Sequence, residues 1–288
     1  MVRLNHKIKY TFLSFLSLIF ILVWSAVFSQ ASPDELEIIF FDVGQGDAIF
    51  IETPNGNQVL IDGGPDTSVL AKLGKELPFY DRTIDLIILT HPDEDHLAGL
   101  VEVLKRYQVD QILTTGILCQ TAVCQKWTEL IKEKDIPIKI AQAGQIIDLG
   151  SEIAMIVLYP FENLSGQEVK KKNNTSIITR LVYGQNSFLF AGDAERLVER
   201  RLLEQNIYLD SDVLKVGHHG SKTSSSQLFL ENVSPQIAVI SVGRDNRWSL
   251  PAATILERLE GLDIEIYRTD LDRDVEVISD GEKIEVRR

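Results

Sequence analysis

Thr90-His91-Pro92-Asp93-Glu94-Asp95-His96 follows directly on an apolar run, Ile84–Leu89, and sets two imidazole and two alternating carboxylate donors within six residues. The chain has five histidines; the other three are His6, near the N-terminus, and the adjacent pair His218-His219. Histidine suits both metal ligation and proton transfer near neutral pH. Its concentration in two short clusters, one interleaved with acids, points to a metal site rather than to scattered core residues. Imidazole with carboxylate suits Zn²⁺ and, where oxygen predominates, Mn²⁺.

Working outward, acids and histidines recur at the ends of other apolar segments. Asp62 closes Gln58–Asp62, Asp193 follows Phe188–Ala191 and Gly192, and His218-His219 follow Asp212–Val216. Loops beyond strand ends are where α/β sheets place their sites, and several such loops can converge on one crevice. A histidine pair alone is more often structural, and a lone strand-end Asp is usually a turn or cap. A whole ordered set of them is not explained that way. Gly44-x-Gly46 lacks the third glycine of a dinucleotide loop, and Asp47 would repel a pyrophosphate.

Leu36–Phe41, Ala48–Glu52 and Gln58–Asp62 read as a meander of strands, with Asn55-Gly56 as a turn. Strand-like and helix-like segments then alternate: Ile84–Leu89, helix Leu97–Tyr107, Gln111–Thr114, helix Cys124–Lys134, then Ile138–Ile140, Ile146–Leu149 and Ile153–Leu158. This reading leaves His91 to His96 in a loop before the helix. Beyond the polar stretch Pro160–Asn174 a second half begins with the hairpin Ser176–Tyr183 and Ser187–Ala191, turning at Gln185-Asn186. Helix Ala194–Gln205, strand Asp212–Val216, helix Ser224–Asn232, strand Ile237–Val242, helix Thr254–Glu260 and short strands around Asp280-Gly281 follow. Two such halves face to face predict an α/β fold, a four-layered αββα sandwich with one shared core, formed by residues 33–288.

Residues 1–32 are expected to stand apart as a signal or anchor segment. Arg3, Lys7 and Lys9 precede a 17-residue apolar run, Phe12–Phe28, broken only by Ser14, Ser17 and Ser25. Trp24 suits an interfacial position, and Ser29-Gln30-Ala31 has a small-x-small pattern. The expectation is a retained membrane anchor with an extracytoplasmic catalytic part, a secreted protein with a cleaved leader being the alternative. Beyond residue 31 there remain 26 basic and 42 acidic residues. Such a surface repels polyanions as a whole, so a phosphate substrate would need the metals and a local basic rim. Lys170–Lys172, Lys215, Lys222, Arg244 and Arg247 are candidates for that rim. Cys119 and Cys124 are read as a local disulfide.

The set Asp62, His91-x-Asp93-x-Asp95-His96, Asp193 and His218-His219 resembles the metallo-β-lactamase fold. Asp42-Val43-Gly44-Gln45-Gly46-Asp47-Ala48, Leu60–Gly64, Asn173-Asn174-Thr175-Ser176 and Lys215-Val216-Gly217-His218-His219-Gly220-Ser221 are similar to the exported hydrolase domain of ComEC-type competence proteins. The resemblance implies two divalent ions, Zn or Mn. His91 and Asp93 would hold one, Asp93 standing where many relatives have histidine. Asp95, His96 and His219 would hold the other, with Asp193 bridging. Asp62, Gln45 and Asp47 would orient ligands, and His218 would protonate the leaving group. Asn174, Ser176, Ser221 and Lys222 would line the substrate side. Asp95 would be indispensable to turnover. Leu250, in Asn246–Pro251, stands where the family often has histidine.

The function implied is hydrolysis of phosphodiester bonds, as in a competence-related DNA nuclease, by a hydroxide between the metals. Alternatives are a small ester, lactone or choline-phosphate substrate, or an anchored metal-binding module without activity. No protein partner can be read from the sequence.

Overall fold

The computed structural model describes residues 6–29 and 35–288, with side chains described for 9–22 and 35–288. The N-terminal helix is α1 (His6–Ser29). Its described side chains cover about 21 Å at 1.5 Å per residue. Among the described residues no helix is long and apolar enough to cross a membrane. Residues 1–5 and 30–32 of the expected anchor segment lie outside the described residues.

The first sheet opens with β1 (Leu36–Phe40), β2 (Ile49–Glu52) and β3 (Gln58–Ile61), paired antiparallel as the meander pattern predicts. Helix α2 (Ser68–Glu76) leads into β4 (Thr83–Leu89), parallel to β3. Helices α3 (Glu94–Arg106) and α4 (Ala122–Glu133) then connect β4 to the parallel strands β5 (Gln108–Thr114) and β6 (Ile138–Ile140). In the second sheet, β7 (Ile146–Asp148), β8 (Ala154–Tyr159), β9 (Ile178–Tyr183) and β10 (Asn186–Phe190) run antiparallel in sequence. Parallel strands β11 (Val213–Lys215), β12 (Ile237–Ile240) and β13 (Glu265–Arg268) extend it. Helices α5 (Arg196–Glu204), α6 (Gln227–Val233) and α7 (Ala253–Glu260) alternate with these strands.

The short helix α8 (Thr269–Asp272) turns the chain back to the first sheet. There β14 (Val275–Ser279) pairs antiparallel with β1 and carries β15 (Ile284–Arg287) on its outer side. The sheet orders are β15-β14-β1-β2-β3-β4-β5-β6 and β13-β12-β11-β10-β9-β8-β7.

Alternation along each strand assigns its side chains to layers. Ile38 and Phe40 of β1 face the inter-sheet core with Phe188 and Phe190 of β10, whereas Ile39 and Phe41 join the helix layer. Strand β4 is apolar on both faces: Leu86 and Ile88 point between the sheets, Ile87 and Leu89 toward the helices. That near-continuous apolar run is the signature of a strand covered on both sides. Leu97, Leu100, Val101 and Leu104 form the buried stripe of α3 at helical spacing. A third cluster packs α5, α6 and α7 on the second sheet. The layers are therefore helix, sheet, sheet, helix, as expected.

Several boundaries differ from the sequence reading. Helix α3 begins at Glu94, so Asp95 and His96 lie in its first turn and Asp93 is its N-cap. Two acids at that end favour a helix terminus through its dipole, which polarity alone disguised as loop. The hairpin turns at Gly184-Gln185, because Asn186 already pairs with Tyr183. Helix α2 and strand β13 were not expected. Cys119 and Cys124 are joined by a disulfide, with Cα atoms 5.8 Å apart.

The loop after β3 approaches α3 backbone to backbone. The Gly63 amide donates to the His96 carbonyl at 2.8 Å and the Gly99 amide to the Gly64 carbonyl at 2.9 Å. A methyl group on Gly99 would collide with the Gly63 carbonyl, whereas one on Gly74 in α2 would meet nothing. Ala is favoured over Gly in a helix by about 1 kcal/mol, so the two sites should respond with opposite sign. Gly74→Ala should stabilise by about 0.5–1 kcal/mol, and Gly99→Ala should destabilise by about 1–3 kcal/mol through overpacking. Urea unfolding of both variants checks this; a stabilised Gly99→Ala would refute the close approach.

Candidate metal centre

Most of the clustered groups are delivered by the loops beyond strand ends, and Asp95 and His96 by the first turn of α3. Asp62 follows β3, His91 follows β4, and Asp193 follows β10. His218 and His219 sit in the 3₁₀ turn Gly217–Gly220 after β11. Asp47 comes from the loop between β1 and β2. Asp62, His218 and His219 all have positive φ, at 58°, 49° and 52°. Non-glycine residues in that region are strained and collect at functional sites, where surrounding contacts hold them.

Those contacts are visible for Asp62, which is wholly buried. Its carboxylate accepts from the Thr90 amide at 2.8 Å and the Thr90 hydroxyl at 2.6 Å. It also accepts from His96 Nδ1 at 2.7 Å. His219 Nδ1 donates to the Ser241 carbonyl at 2.9 Å. With the Thr90 proton committed to Asp62, His91 Nδ1 donates to the Thr90 and Ser176 hydroxyl oxygens at 3.1 and 3.3 Å. In their neutral form, the one that binds a metal, the three imidazoles thus share one tautomer, Nδ1 protonated and Nε2 carrying the lone pair, the arrangement that second partners impose on metal-ligating histidine.

The three Nε2 atoms are buried and have no hydrogen-bond partner among the described residues; Asp193 Oδ1 is in the same state. Leaving a buried polar atom unpaired costs about 1–3 kcal/mol, so three orphaned imidazole nitrogens converging on the Asp193 carboxylate describe a ligand set. Asp193 Oδ2 lies 3.4 Å from His96 Nε2, 3.4 Å from His219 Nε2 and 4.0 Å from His91 Nε2. Asp95 Oδ2 is 3.4 Å from His219 Nε2, and Asp93 Oδ2 is 3.6 Å from His91 Nε2. Donor atoms of His91, His96 and Asp193, and of Asp95, His96 and His219, fall within 4.8 Å of one another. The residues present fit divalent cations: His91 and Asp93 on one side, Asp95 and His219 on the other, His96 and Asp193 between.

Asp47 and Asp62 also cluster with these histidines, but Asp47 already contacts Lys215, and Asp62 already accepts from Thr90 and His96. Lys215 is completely buried: its ammonium contacts Asp47, donates to the Gly192 carbonyl at 3.0 Å and stands 3.9 Å from Asp193 Oδ1. The sequence reading put it on an exposed basic rim, and the structure overturns this. The signal was there, since Val213-Leu214-Lys215-Val216 places lysine at a core position of a short apolar strand.

Burial, the largest influence on most of these groups, opposes their charged forms, and neighbours decide the outcome. For His96, Asp193 and Asp62 overcome burial and hold the imidazole well above its usual value. Asp193 and Asp47 do the same for His219. His91, pushed by burial and the adjacent His96, falls to about 3. Asp193 is held well below the carboxylate range by His219 and His96 despite its burial. Burial pushes Asp62 upward, partly countered by His96.

The remaining expected residues are placed variously. His218 is a quarter exposed, with Nε2 3.9 Å from Asp193, Nε2 bonded to Asn173 Nδ2 at 3.2 Å and Nδ1 to Thr223 Oγ1 at 3.1 Å. Ser176 is not on the open side: it is buried, bonded to His91 and accepting from the Asp193 amide at 3.1 Å. Gln45 takes the Gly243 amide at 3.2 Å rather than a ligand histidine. Asn174 donates to Glu195 at 3.0 Å, Ser221 meets Thr223, and Lys222 is exposed. Lys172 leaves the rim to pair with Asp93 at 2.9 Å. Arg244 binds the Asp270 carbonyl, Arg247 stacks on Trp248, and Leu250 packs against the second-sheet helices.

A four-layered sandwich with this histidine and aspartate cluster at its strand ends matches the metallo-beta-lactamase superfamily over residues 41–244, and the chain belongs to that superfamily, as one of its metal-dependent hydrolases. It is 29% identical over 253 residues to ComE operon protein 3 of Bacillus subtilis (strain 168), covering 82% of this chain and 32% of that protein. It is 29% identical over 278 residues to Recombination protein 2 of Haemophilus influenzae, covering 91% and 31%. The chain thus spans about a third of the length of the curated relatives it matches. In fold it resembles Igni18, a metallo hydrolase from Ignicoccus hospitalis, with TM-score 0.55 at 15% identity, over 84% of this chain and 98% of that one. The likeness to ComEC-type competence proteins read from the motifs is met by these relatives.

The raised values of His96 and His219 mean that both carry an extra proton at pH 7 in the metal-free protein. Ligation needs Nε2 bare, so metal binding must expel those protons, and affinity must rise as pH increases from 6 to 8. His91, already neutral, contributes none. Titration calorimetry in buffers of different ionisation enthalpy should show proton release near neutrality; a binding heat independent of buffer would contradict the assignment.

Proposed function

We propose that the chain is a membrane-anchored, extracytoplasmic phosphodiesterase of the competence-related type, acting on a nucleic-acid strand with two Zn²⁺ or Mn²⁺ ions. The observation that supports it most is the meeting of three orphaned imidazole nitrogens and Asp193 beside two acids, Asp93 and Asp95, that are each 35% exposed on their side chains. The buried side sets ligand geometry, and the exposed acids open the cluster to a substrate. Divalent cations, when bound, supply an acidified water and neutralise charge on an attacked ester.

The chain's own groups supply the rest. Asp62 and the Ser241 carbonyl keep His96 and His219 in the required tautomer, and Lys215 fixes Asp47 and the Gly192 carbonyl next to Asp193. His218 is the clustered imidazole with solvent access. It is the group placed to pass a proton to the leaving oxygen through Nε2, which here accepts from the Asn173 amide and so must first be released by it, while Thr223 fixes the plane of the ring at Nδ1.

Anchoring is supported by α1, whose Phe12, Phe15, Leu18 and Ile21 are all exposed at 53–62%. A helix apolar on every side needs an apolar surrounding. The disulfide supports an oxidising compartment.

Asp95→Ala or His96→Ala in the full chain should lower turnover of bis(p-nitrophenyl) phosphate by about 10²-fold or more, with the far-ultraviolet circular dichroism of the parent. Either variant retaining full activity removes its residue from the site. A panel that includes single-stranded DNA and small carboxylic esters tests the substrate class: hydrolysis of the esters alone would transfer the site to the alternative chemistry.

A further inference from the structure

Beside the metal cluster lies an open cavity of about 620 Å³ whose walls include Lys171, Arg196, Lys222 and Arg258, with the hydroxyl residues Thr223 and Thr254. These cations come from four separate places: the loop before β9, the start of α5, the turn after the histidine pair, and α7. One acid, Glu195, faces them, and it is engaged by Asn174 at 3.0 Å and Lys171 at 3.8 Å. In a chain of formal charge −13, four cations against one carboxylate in a single hollow stand out from the surrounding field.

The cavity adjoins the ligand set. Thr223, in its wall, bonds His218 Nδ1 at 3.1 Å, and the other nitrogen of the same ring is 3.9 Å from Asp193. His218 is thus a partition one imidazole thick between the basic hollow and the metal-binding groups. Part of the cationic equipment is fixed by the fold: Arg196 Nη2 donates to the Lys222 carbonyl at 2.6 Å, and Arg258 Nη1 donates to the Ser225 carbonyl. Each guanidinium keeps further donors for a ligand. Rigid, forked donors of this kind select phosphate and similar oxyanions.

We infer that this cavity is a phosphate-binding subsite, taking a phosphate group of the substrate next to the one attacked across His218. The inference rests on the phosphodiester reading for its meaning, though the cavity's anion affinity can be measured without it. A substrate that fills both places carries at least two phosphates in a chain, so a strand is preferred over an isolated diester.

The test is binding by the full chain in detergent micelles, stripped of metal so that no turnover occurs. The probe is a fluorescent single-stranded 12-nucleotide DNA read by anisotropy. Lys222→Gln combined with Arg258→Gln should weaken binding at least tenfold and lower the slope of log K against log salt by about 1.4, two contacts at about 0.7 each for a single strand. A charge-matched control, Lys105→Gln with Arg106→Gln at the end of α3, should change binding less than twofold. Equal loss in the control, or none in the test pair, overturns the subsite.

Inorganic phosphate gives a measure that needs no variant. It should displace the DNA from the unmutated chain more strongly than chloride at the same ionic strength; equal displacement also counts against the subsite. Calorimetric binding of phosphate by a chain with no measurable DNA affinity would show a site for the free anion and overturn the strand assignment. Failure of the metal-loaded chain to hydrolyse bis(p-nitrophenyl) phosphate would remove the phosphodiester reading alone, because neither binding measurement depends on turnover.

Discussion

A single buried carboxylate joins the parts of this molecule that must agree. Asp62, held at positive φ where β3 ends, takes the amide and hydroxyl of Thr90 at the end of β4 and the Nδ1 proton of His96 in the first turn of α3. Two strand ends and a helix are thereby locked at one point, and the same bonds decide which nitrogen of His96 is bare. An uncompensated carboxylate in that position would be costly, so the contacts and the ionised state sustain each other. The close backbone packing of Gly63 and Gly64 against α3 lets the loop come near enough for this to happen.

The second organising group is Lys215. A lysine with no solvent exposure is tolerated only where acids surround it, and here Asp47 and Asp193 do so from two sides. The carboxylates around the histidines therefore do not face one another bare. One fixed positive charge beneath them reduces their repulsion. The mobile charge, whether protons or cations, is left to the upper side where Asp93 and Asp95 are partly open. Lys172, from the loop before β9, now meets Asp93 there.

Much of the layout was legible beforehand because the strands are short, bounded by turn residues and followed by polar clusters. The run Ile84–Leu89 ending at His91 announced a covered strand with chemistry at its tip, and the alternation of β1 to β3 announced the meander. What stayed hidden depended on contacts distant in sequence. The first turn of α3 looked like loop because its acids and histidine serve the site rather than the core. Ser176 read as surface-facing because nothing local shows that Asp193 will fold over it, whereas the apolar neighbours of Lys215 did mark a core position whose acidic partners lie far away in sequence. Nor could local pattern show that the cations of Lys171, Arg196, Lys222 and Arg258 would share one cavity, since helices and turns from across the second half bring them together.

The return of β14 to β1 bears on how the protein is made. Until the hairpin of β14 and β15 docks, β1 offers the unpaired edge Leu36–Phe40, an apolar ribbon able to recruit strands from other chains. The earliest ordered strand therefore waits through synthesis of nearly everything else for its neighbour. Nascent or partly assembled copies are the ones at risk of sticking together, and chaperone protection would matter most in that interval.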